Sequence, residues 1–221
     1  MHGEIQVVDD VPASFCEVVA DTWQTRAGRG FTIALSGGET ARQCYERLAE
    51  WSESPVDWMA TEVYWGDERC VGPDDPASNY RLAREALLSK VAGVHALFPM
   101  RCDEGDDAYN LLWSSLGSID LVHLGLGADG HTASLFPGSP ALVADPGRLV
   151  VSNEDSTGRN PHPRMTLTFA GISRARVAVV TVCGEEKRSA FTAIRGGADL
   201  PGAHIHAERV VWLVDPAAAG E

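Results

Sequence analysis

Four short segments of the chain gather residue types that do chemistry, and each follows a run that reads as a β-strand. The richest is Leu124-Gly125-Leu126-Gly127-Ala128-Asp129-Gly130-His131-Thr132-Ala133-Ser134-Leu135-Phe136-Pro137-Gly138. It sets Asp129 and His131 on one glycine-rich loop. Histidine titrates near neutrality, and an adjacent carboxylate orients the ring and favours its charged form, which suits a general base. The plain alternative is a histidine that only hydrogen-bonds its own loop. Gly125, Gly127 and Gly130 also spell the G-x-G-x-x-G of dinucleotide sites. That reading is rejected, because a helix after the third glycine would meet Pro137 within about two turns. No acidic residue stands at a strand end about 20 residues further on, as such a site would need.

The second segment is Leu35-Ser36-Gly37-Gly38-Glu39-Thr40. Two glycines let the backbone approach a ligand, and a helix starting here would offer unpaired N–H groups to an anion. Ser36 and Thr40 add hydroxyl donors, so the segment reads as a phosphate cradle. The alternative is an ordinary strand-to-helix turn with Thr40 as the N-cap. The third segment, Trp65-Gly66-Asp67-Glu68-Arg69, puts two acids and an arginine at a strand end. Arginine presents a fork of donors that fits phosphate or carboxylate oxygens, although a surface charge run would look the same. Downstream, Ser78 is the expected N-cap of a helix. The fourth segment is Cys183-Gly184-Glu185-Glu186-Lys187. A lysine in a helix's first turn opposes the dipole preference for acids there, which makes Lys187 a candidate anion ligand and otherwise an exposed lysine.

These segments must be held by something, and the pattern around them alternates strand and helix. β-rich runs fall at 5–8, 31–35, 62–65, 119–124, 149–151, 165–169, 177–182 and 210–214. Most are continuously apolar, as in strands covered on both faces. Ala41, Cys44, Tyr45 and Leu48 follow the spacing of one helical face. Tyr80, Ala83, Leu87, Leu88 and Val91 make a second, and Ala108, Leu111, Leu112 and Leu116 a third, closed by Gly117. Such alternation predicts an α/β fold, doubly wound, with a mainly parallel sheet and helices on both faces. Ligands then bind beyond the carboxyl ends of the strands, where all four segments lie. No repeat or linker divides the chain, so one domain over 1–221 is expected, with a frayed tail after Asp215.

Composition bounds the partners. The 221 residues carry a formal net charge of -13, which opposes nucleic acid and anionic membranes. An anionic ligand must therefore be drawn in by locally concentrated cations. Five cysteines, scattered and never in a C-x-x-C pair, suggest neither a disulfide framework nor a zinc knuckle. They are expected as reduced thiols. With no signal peptide evident and no apolar run of about 20 residues, a soluble, cytoplasmic protein is the expectation. The seven histidines show no ligand spacing, and His204-x-His206 alone is too little for a metal.

Together the segments resemble the 6-phosphogluconolactonase family, whose patterns run S-G-G-S-T-P, G-D-E-R with a later S-N-Y, L-G-x-G-x-D-G-H-T-A-S-L-F-P-G and G-x-x-K. Here they stand, in that order, at 36–41, 66–69 with 78–80, 124–138 and 184–187. The likeness covers essentially the whole chain, and the D-G-H-T-A-S-L-F-P-G block is its most specific part. Two departures stand out: Glu39-Thr40-Ala41 replaces Ser-Thr-Pro, and Gly72 replaces a proline. A carboxylate at Glu39 opposes phosphate binding unless it points away.

The resemblance implies a fold shared with glucosamine-6-phosphate deaminases and hydrolysis of a phosphorylated sugar lactone without metal or cofactor. It implies His131 as catalytic base with Asp129 beside it. Ser36, Gly37, Gly38, Thr40, Asp67, Arg69 and Lys187 would bind substrate and its phosphate, with Arg164 a further cation and 160–163 a loop at the site's edge. A small-molecule partner and a monomer or weak homodimer go with it. One rival is an amino-sugar-phosphate deaminase of the same fold. Those enzymes carry a glutamate five residues after the histidine, where this chain has Phe136, and usually an aromatic residue at Arg69. Another rival is a non-catalytic sugar-phosphate sensor, disfavoured by the intact Asp129–His131 pair and the lack of a helix-turn-helix extension.

Overall fold

The protein is described from a computed structural model covering residues 1–26, 28 and 30–221. Its apolar runs become strands that side chains cover on both faces. In chain order the elements are β1 (Glu4–Val7), α1 (Val11–Thr25), β2 (Phe31–Leu35), α2 (Glu39–Glu50), β3 (Thr61–Trp65) and β4 (Asp67–Arg69). Then come α3 (Asn79–Ala83), β5 (Ala96–Phe98), α4 (Asp106–Ser115), β6 (Ile119–Gly125), β7 (Val150–Asn153) and β8 (Arg164–Leu167). The chain closes with α5 (Phe169–Ile172), β9 (Ala175–Val182), α6 (Arg188–Arg195), β10 (Arg209–Val214) and α7 (Pro216–Ala219).

Seven strands form one parallel sheet in the order β1-β10-β9-β6-β2-β3-β5. From β2 the chain winds outward through β3 to β5, then returns to β6 on the other side. Strand order therefore reverses between β2 and β6, and the crevice beyond their carboxyl ends is where such sheets bind ligands. Ser36 and Gly125 stand at those two ends.

The helices form where local chemistry supports them. Asp10 accepts from the Ala13 N–H at 2.9 Å and Pro12 fits the first turn, so α1 starts there and buries Phe15, Val19 and Trp23. Helix α2 buries Ala41, Cys44, Tyr45 and Leu48, the face its spacing predicts. Each large apolar side chain so covered contributes about 1.5–3 kcal/mol. Ser78 caps α3 by accepting from the Arg81 N–H at 3.1 Å, as expected.

Several expectations need correction. The runs near 149–151 and 165–169 do not join the parallel sheet; β7 and β8 form a separate antiparallel sheet with β4, in the order β4-β8-β7. Strand β8 stops at Leu167 because Thr168 caps α5, accepting from the Gly171 N–H at 3.1 Å. The helix read from Tyr80 to Val91 is α-helical only over α3 and continues as a π-turn over Arg84–Leu88. Gly38, not Thr40, is the N-cap of α2. Lys187 ends a single 3-10 turn, Glu185–Lys187, just before α6. Finally, Cys70 and Cys102 are disulfide-bonded, with Cα atoms 5.4 Å apart, so the five cysteines are not all thiols. Cys16, Cys44 and Cys183 are free.

Candidate active site

The 36–38 turn leaves the end of β2 and enters α2. Gly37 packs so close to Asn79 that a Cβ would fall 1.7 Å from Asn79 Oδ1, so only glycine fits. Gly38 caps α2 with φ +98° and no side-chain partner. The N–H groups of Gly37 and Gly38 make no hydrogen bond among the described residues, leaving donors and a helix N-terminus open to an anion. The exposed Glu39 carboxylate meets Arg42 at 3.3 Å, and Glu39 borders the recess next to the turn.

Beyond β3, Gly66 turns the chain into β4 and the small sheet. Asp67, only 5% exposed, accepts from Ser134 Oγ at 2.6 Å and from Asn79 Nδ2 at 3.2 Å. Glu68 faces the other way. Its buried carboxylate accepts from the N–H groups of Arg69, Asn79 and Tyr80, each at 2.7 Å, and from Ser78 Oγ at 3.1 Å. Burial pushes the Glu68 pKa up, and those N–H donors oppose the rise. Glu68 thus fastens α3 to β4 and leaves the ligand chemistry to its neighbours.

Arg69 and Arg164 are direct cross-strand partners in the β4–β8 register. Like charges placed so are destabilising on their own. Arg69 Nη1 donates to the Ala77 carbonyl at 2.5 Å, and Arg164 Nη2 to the Pro161 carbonyl at 3.1 Å. Neither meets a carboxylate within salt-bridge distance among the described residues, and the Nε of each is buried without a partner. Burial holds Arg164 below the usual guanidinium range, opposed by Asp67 and reinforced by Arg69.

The loop after β6 positions the histidine. Asp129 Oδ1 accepts from the His131 N–H at 3.1 Å and from His131 Nδ1 at 2.5 Å. The hydrogen bond from His131 is the main reason the Asp129 carboxyl lies below its ordinary range. A carboxylate acceptor fixes the neutral ring with its proton on Nδ1 and its lone pair on Nε2. Gly127 cannot be larger, since a Cβ there would lie 2.1 Å from His131 Nδ1. Ala133 takes a left-handed φ of 47°, and Ser134 beyond it is tied by the Thr166 hydroxyl, by Asn153 and by Asp67. No helix follows Gly130, consistent with rejecting a dinucleotide fingerprint.

Ser36, Gly37, Gly38, Asp67, Arg69, His131, Arg164 and Lys187 line one open cleft at the switch point. Lys187 too has no carboxylate within salt-bridge distance among the described residues. Asp129 borders the cleft's outer mouth behind His131. Thr40 is not in the cleft; it lines an adjoining recess with Thr181, His123 and Cys183. Asn160 does line it, held by Asp155, whose Oδ2 accepts from the Asn160 N–H at 3.0 Å and its Nδ2 at 2.9 Å. Sequence reasoning did not choose Asn79 or Ser134, the two side chains that hold Asp67. Asn79 had a signal, standing beside the cap residue in the S-N-Y pattern; Ser134 had none beyond its place in the histidine loop. No cluster of three or more metal-ligating side chains exists among the described residues.

A doubly wound α/β sheet whose switch-point cleft gathers a carboxylate-oriented imidazole and three cations has the architecture of an enzyme. The chain belongs to the family of glucosamine-6-phosphate isomerases and 6-phosphogluconolactonases, whose model matches residues 4–212. It is 37% identical over 207 residues to a 6-phosphogluconolactonase of Synechocystis, covering 85% of this chain and 82% of that protein. The solved 6-phosphogluconolactonase of Trypanosoma cruzi superposes with a TM-score of 0.86 at 26% identity, over 100% of this chain and 97% of that one. A monomeric glucosamine-6-phosphate deaminase has the same fold, with a TM-score of 0.82 at 19% identity over 98% of this chain and 99% of that one.

Proposed function

We propose that this protein is a lactone hydrolase that opens 6-phospho-D-glucono-1,5-lactone to 6-phosphogluconate, the second step of the oxidative pentose phosphate pathway. The observation that carries the reading is one cleft lined by His131, which Asp129 orients, together with Arg69, Arg164 and Lys187, three cations with no carboxylate within salt-bridge distance among the described residues. Arg69 and Lys187, with the open N–H groups of the 36–38 turn, hold the phosphate. Arg164 adds positive field, and Asp67 and Ser36 meet the sugar.

A δ-lactone is an activated ester, so one base and one water suffice. His131 Nε2 takes a proton from water as its oxygen bonds to C1. The tetrahedral intermediate collapses by breaking the bond from C1 to the ring oxygen, and the imidazolium returns the proton to that oxygen. Asp129 stabilises the imidazolium between the two steps. Phosphate binding away from C1 orients the ring for attack.

The deaminase alternative needs a further acid–base group at Phe136, although Asp67, which matches a deaminase acid by position, lines the cleft. Phe136, five residues after His131, is buried with its ring centroid 5.1 Å from the imidazole and can transfer no proton. The test is hydrolysis of fresh 6-phosphogluconolactone, corrected for spontaneous opening, beside ammonia release from glucosamine 6-phosphate. Enzyme-dependent hydrolysis without ammonia is expected; ammonia release at a comparable rate would reverse the assignment. No helix among the described residues is long and apolar enough to cross a membrane. We propose a monomer or weak homodimer.

A further inference from the structure

Under the floor of the cleft lies a chain of buried polar groups that the proposed chemistry does not use. The Ser36 N–H donates to Tyr45 Oη at 2.7 Å. Tyr45 Oη lies 2.9 Å from His123 Nδ1, and His123 Nε2 lies 3.0 Å from Thr181 Oγ1. Tyr45 and His123 are fully buried and Thr181 nearly so. The chain crosses three neighbouring strands, from β2 through β6 to β9.

Direction follows from the donors. The tyrosine oxygen accepts from the Ser36 N–H, and its hydroxyl has two acceptors in reach, His123 Nδ1 at 2.9 Å and the Ser36 carbonyl at 3.3 Å; donation to the nearer one leaves His123 Nε2–H to donate to Thr181 Oγ1. Every link is then satisfied with a neutral ring. Burial pushes His123 down to about 3, so the ring carries no charge at working pH. Packing does not require these groups: Phe15 stacks 4.4 Å from the His123 ring, and apolar residues of similar shape would fill the same space. A buried polar network in such surroundings fixes position more than it adds stability.

What it fixes is the 36–38 turn. Tyr45 sits on α2, the helix that the turn itself begins, and reaches back to the residue before the turn. Its hydroxyl therefore closes a ring around Gly37 and Gly38, whose N–H groups are open to the cleft. The far end of the chain, Thr181, lies on β9, the strand that leads to Lys187, and Thr181, Ser36 and Lys187 border one recess. We propose that Tyr45, His123 and Thr181 are positioning residues that hold the 36–38 turn in register with the end of β9, setting the geometry of the anion-binding subsite. The inference rests on the reading of that subsite as the phosphate-binding end of the site.

Tyr45→Phe removes the hydroxyl and keeps the ring. It is expected to raise KM for 6-phosphogluconolactone roughly fivefold to tenfold, about the value of one hydrogen bond, with kcat little changed. Affinity for 6-phosphogluconate and for inorganic phosphate should fall by the same factor. kcat/KM for unphosphorylated gluconolactone should move less than twofold, a split that general loss of structure would not produce. Thr181→Val should shift the same parameters in the same direction by less, and Thr181→Ser should restore them. If Tyr45→Phe does not fold, Thr181→Val and Thr181→Ser carry the test. A folded variant with unchanged KM and phosphate affinity, or one that loses both lactones equally, overturns the proposal. Absence of lactone hydrolysis in the parent protein would overturn the functional reading alone, since the effect on phosphate affinity is measured separately.

Discussion

The two sheets of this protein divide its work. The seven-stranded sheet is almost wholly apolar: β2, β6, β9 and β10 bury nearly every side chain, and His123 and Thr181 are exceptions that bond to each other. The three-stranded sheet is the reverse, with Asp67, Glu68, Arg69, Asn153, Arg164 and Thr166 on strands of three or four residues. The large sheet supplies stability and, from the end of β6, the loop that carries Asp129 and His131. The small one supplies cations and carboxylates that must be held in place by their own hydrogen bonds. A site can thus borrow rigidity from one sheet and polarity from another, at their junction.

That division is tested most severely at His131, which belongs to the large sheet's loop yet is free of the core. His131→Ala should cost about 10²–10⁴-fold in hydrolysis, the usual contribution of a general base. Affinity for 6-phosphogluconate should stay within a fewfold, because the cations proposed to hold it lie on the small sheet and at Lys187. The thermal midpoint should hardly change. Retention of more than half the parent rate would remove His131 from its role.

The next largest effect concerns what joins the sheets. Cys70 follows β4 and Cys102 follows β5, so the disulfide ties the small sheet to the edge of the large one across 32 residues. Loop-closure entropy for that separation gives roughly 3–4 kcal/mol. Reduction by a dithiol should therefore lower the thermal midpoint by on the order of 6–16 °C. The Cys70→Ser/Cys102→Ser variant should start low and ignore the reductant. Burial pushes the Cys183 thiol up to about 11 and Cys16 to about 12, so neither offers a ready thiolate for exchange. Equal midpoints with and without reductant would mean that the sheets are joined by packing alone.

What could be read from the sequence follows the same line between the sheets. Strands of the large sheet are legible because continuous apolar runs have few other uses. Strand β4 is not, since Asp-Glu-Arg has neither alternation nor apolar character, and β5 is only three residues long. Helix α1 was passed over because Pro12 and the β-branched Val11, Val18 and Val19 obscure its period, although Asp10 and Pro12 are a fair start signal. The cleft itself was legible where a motif carries it: the 36–38 turn, Asp67, Arg69, the Asp129–His131 loop and Lys187. Helix entry at Gly38 turns Thr40 into the neighbouring recess, which Ser36, Gly37, Gly38 and Lys187 also line. Asn79 and Ser134 bridge to Asp67 only in three dimensions, and the Cys70–Cys102 bond likewise depends on which loops the fold brings together.

The smallest effect bears on whether the small sheet is built for stability or for binding. Arg69 and Arg164 face each other across β4 and β8, and neither has a carboxylate partner among the described residues. If that pair exists to hold an anion, removing one charge should harm binding and help the empty protein. Arg164→Gln keeps a long polar side chain able to reach the Pro161 carbonyl. It should weaken 6-phosphogluconate binding roughly tenfold to a hundredfold, the worth of hydrogen bonds to a charged group. The unliganded protein should gain up to about 1 kcal/mol by relief of the cross-strand repulsion. Calorimetry on the ligand and thermal melting of the empty protein read the two effects separately. Because ligand stabilises only the folded state, saturating 6-phosphogluconate should raise the parent's midpoint more than the variant's, and the order of the two midpoints should then reverse. A variant that melts several degrees lower while binding normally would show instead that Arg164 props the small sheet, and the anion would then have to be held by Arg69, Lys187 and the 36–38 turn.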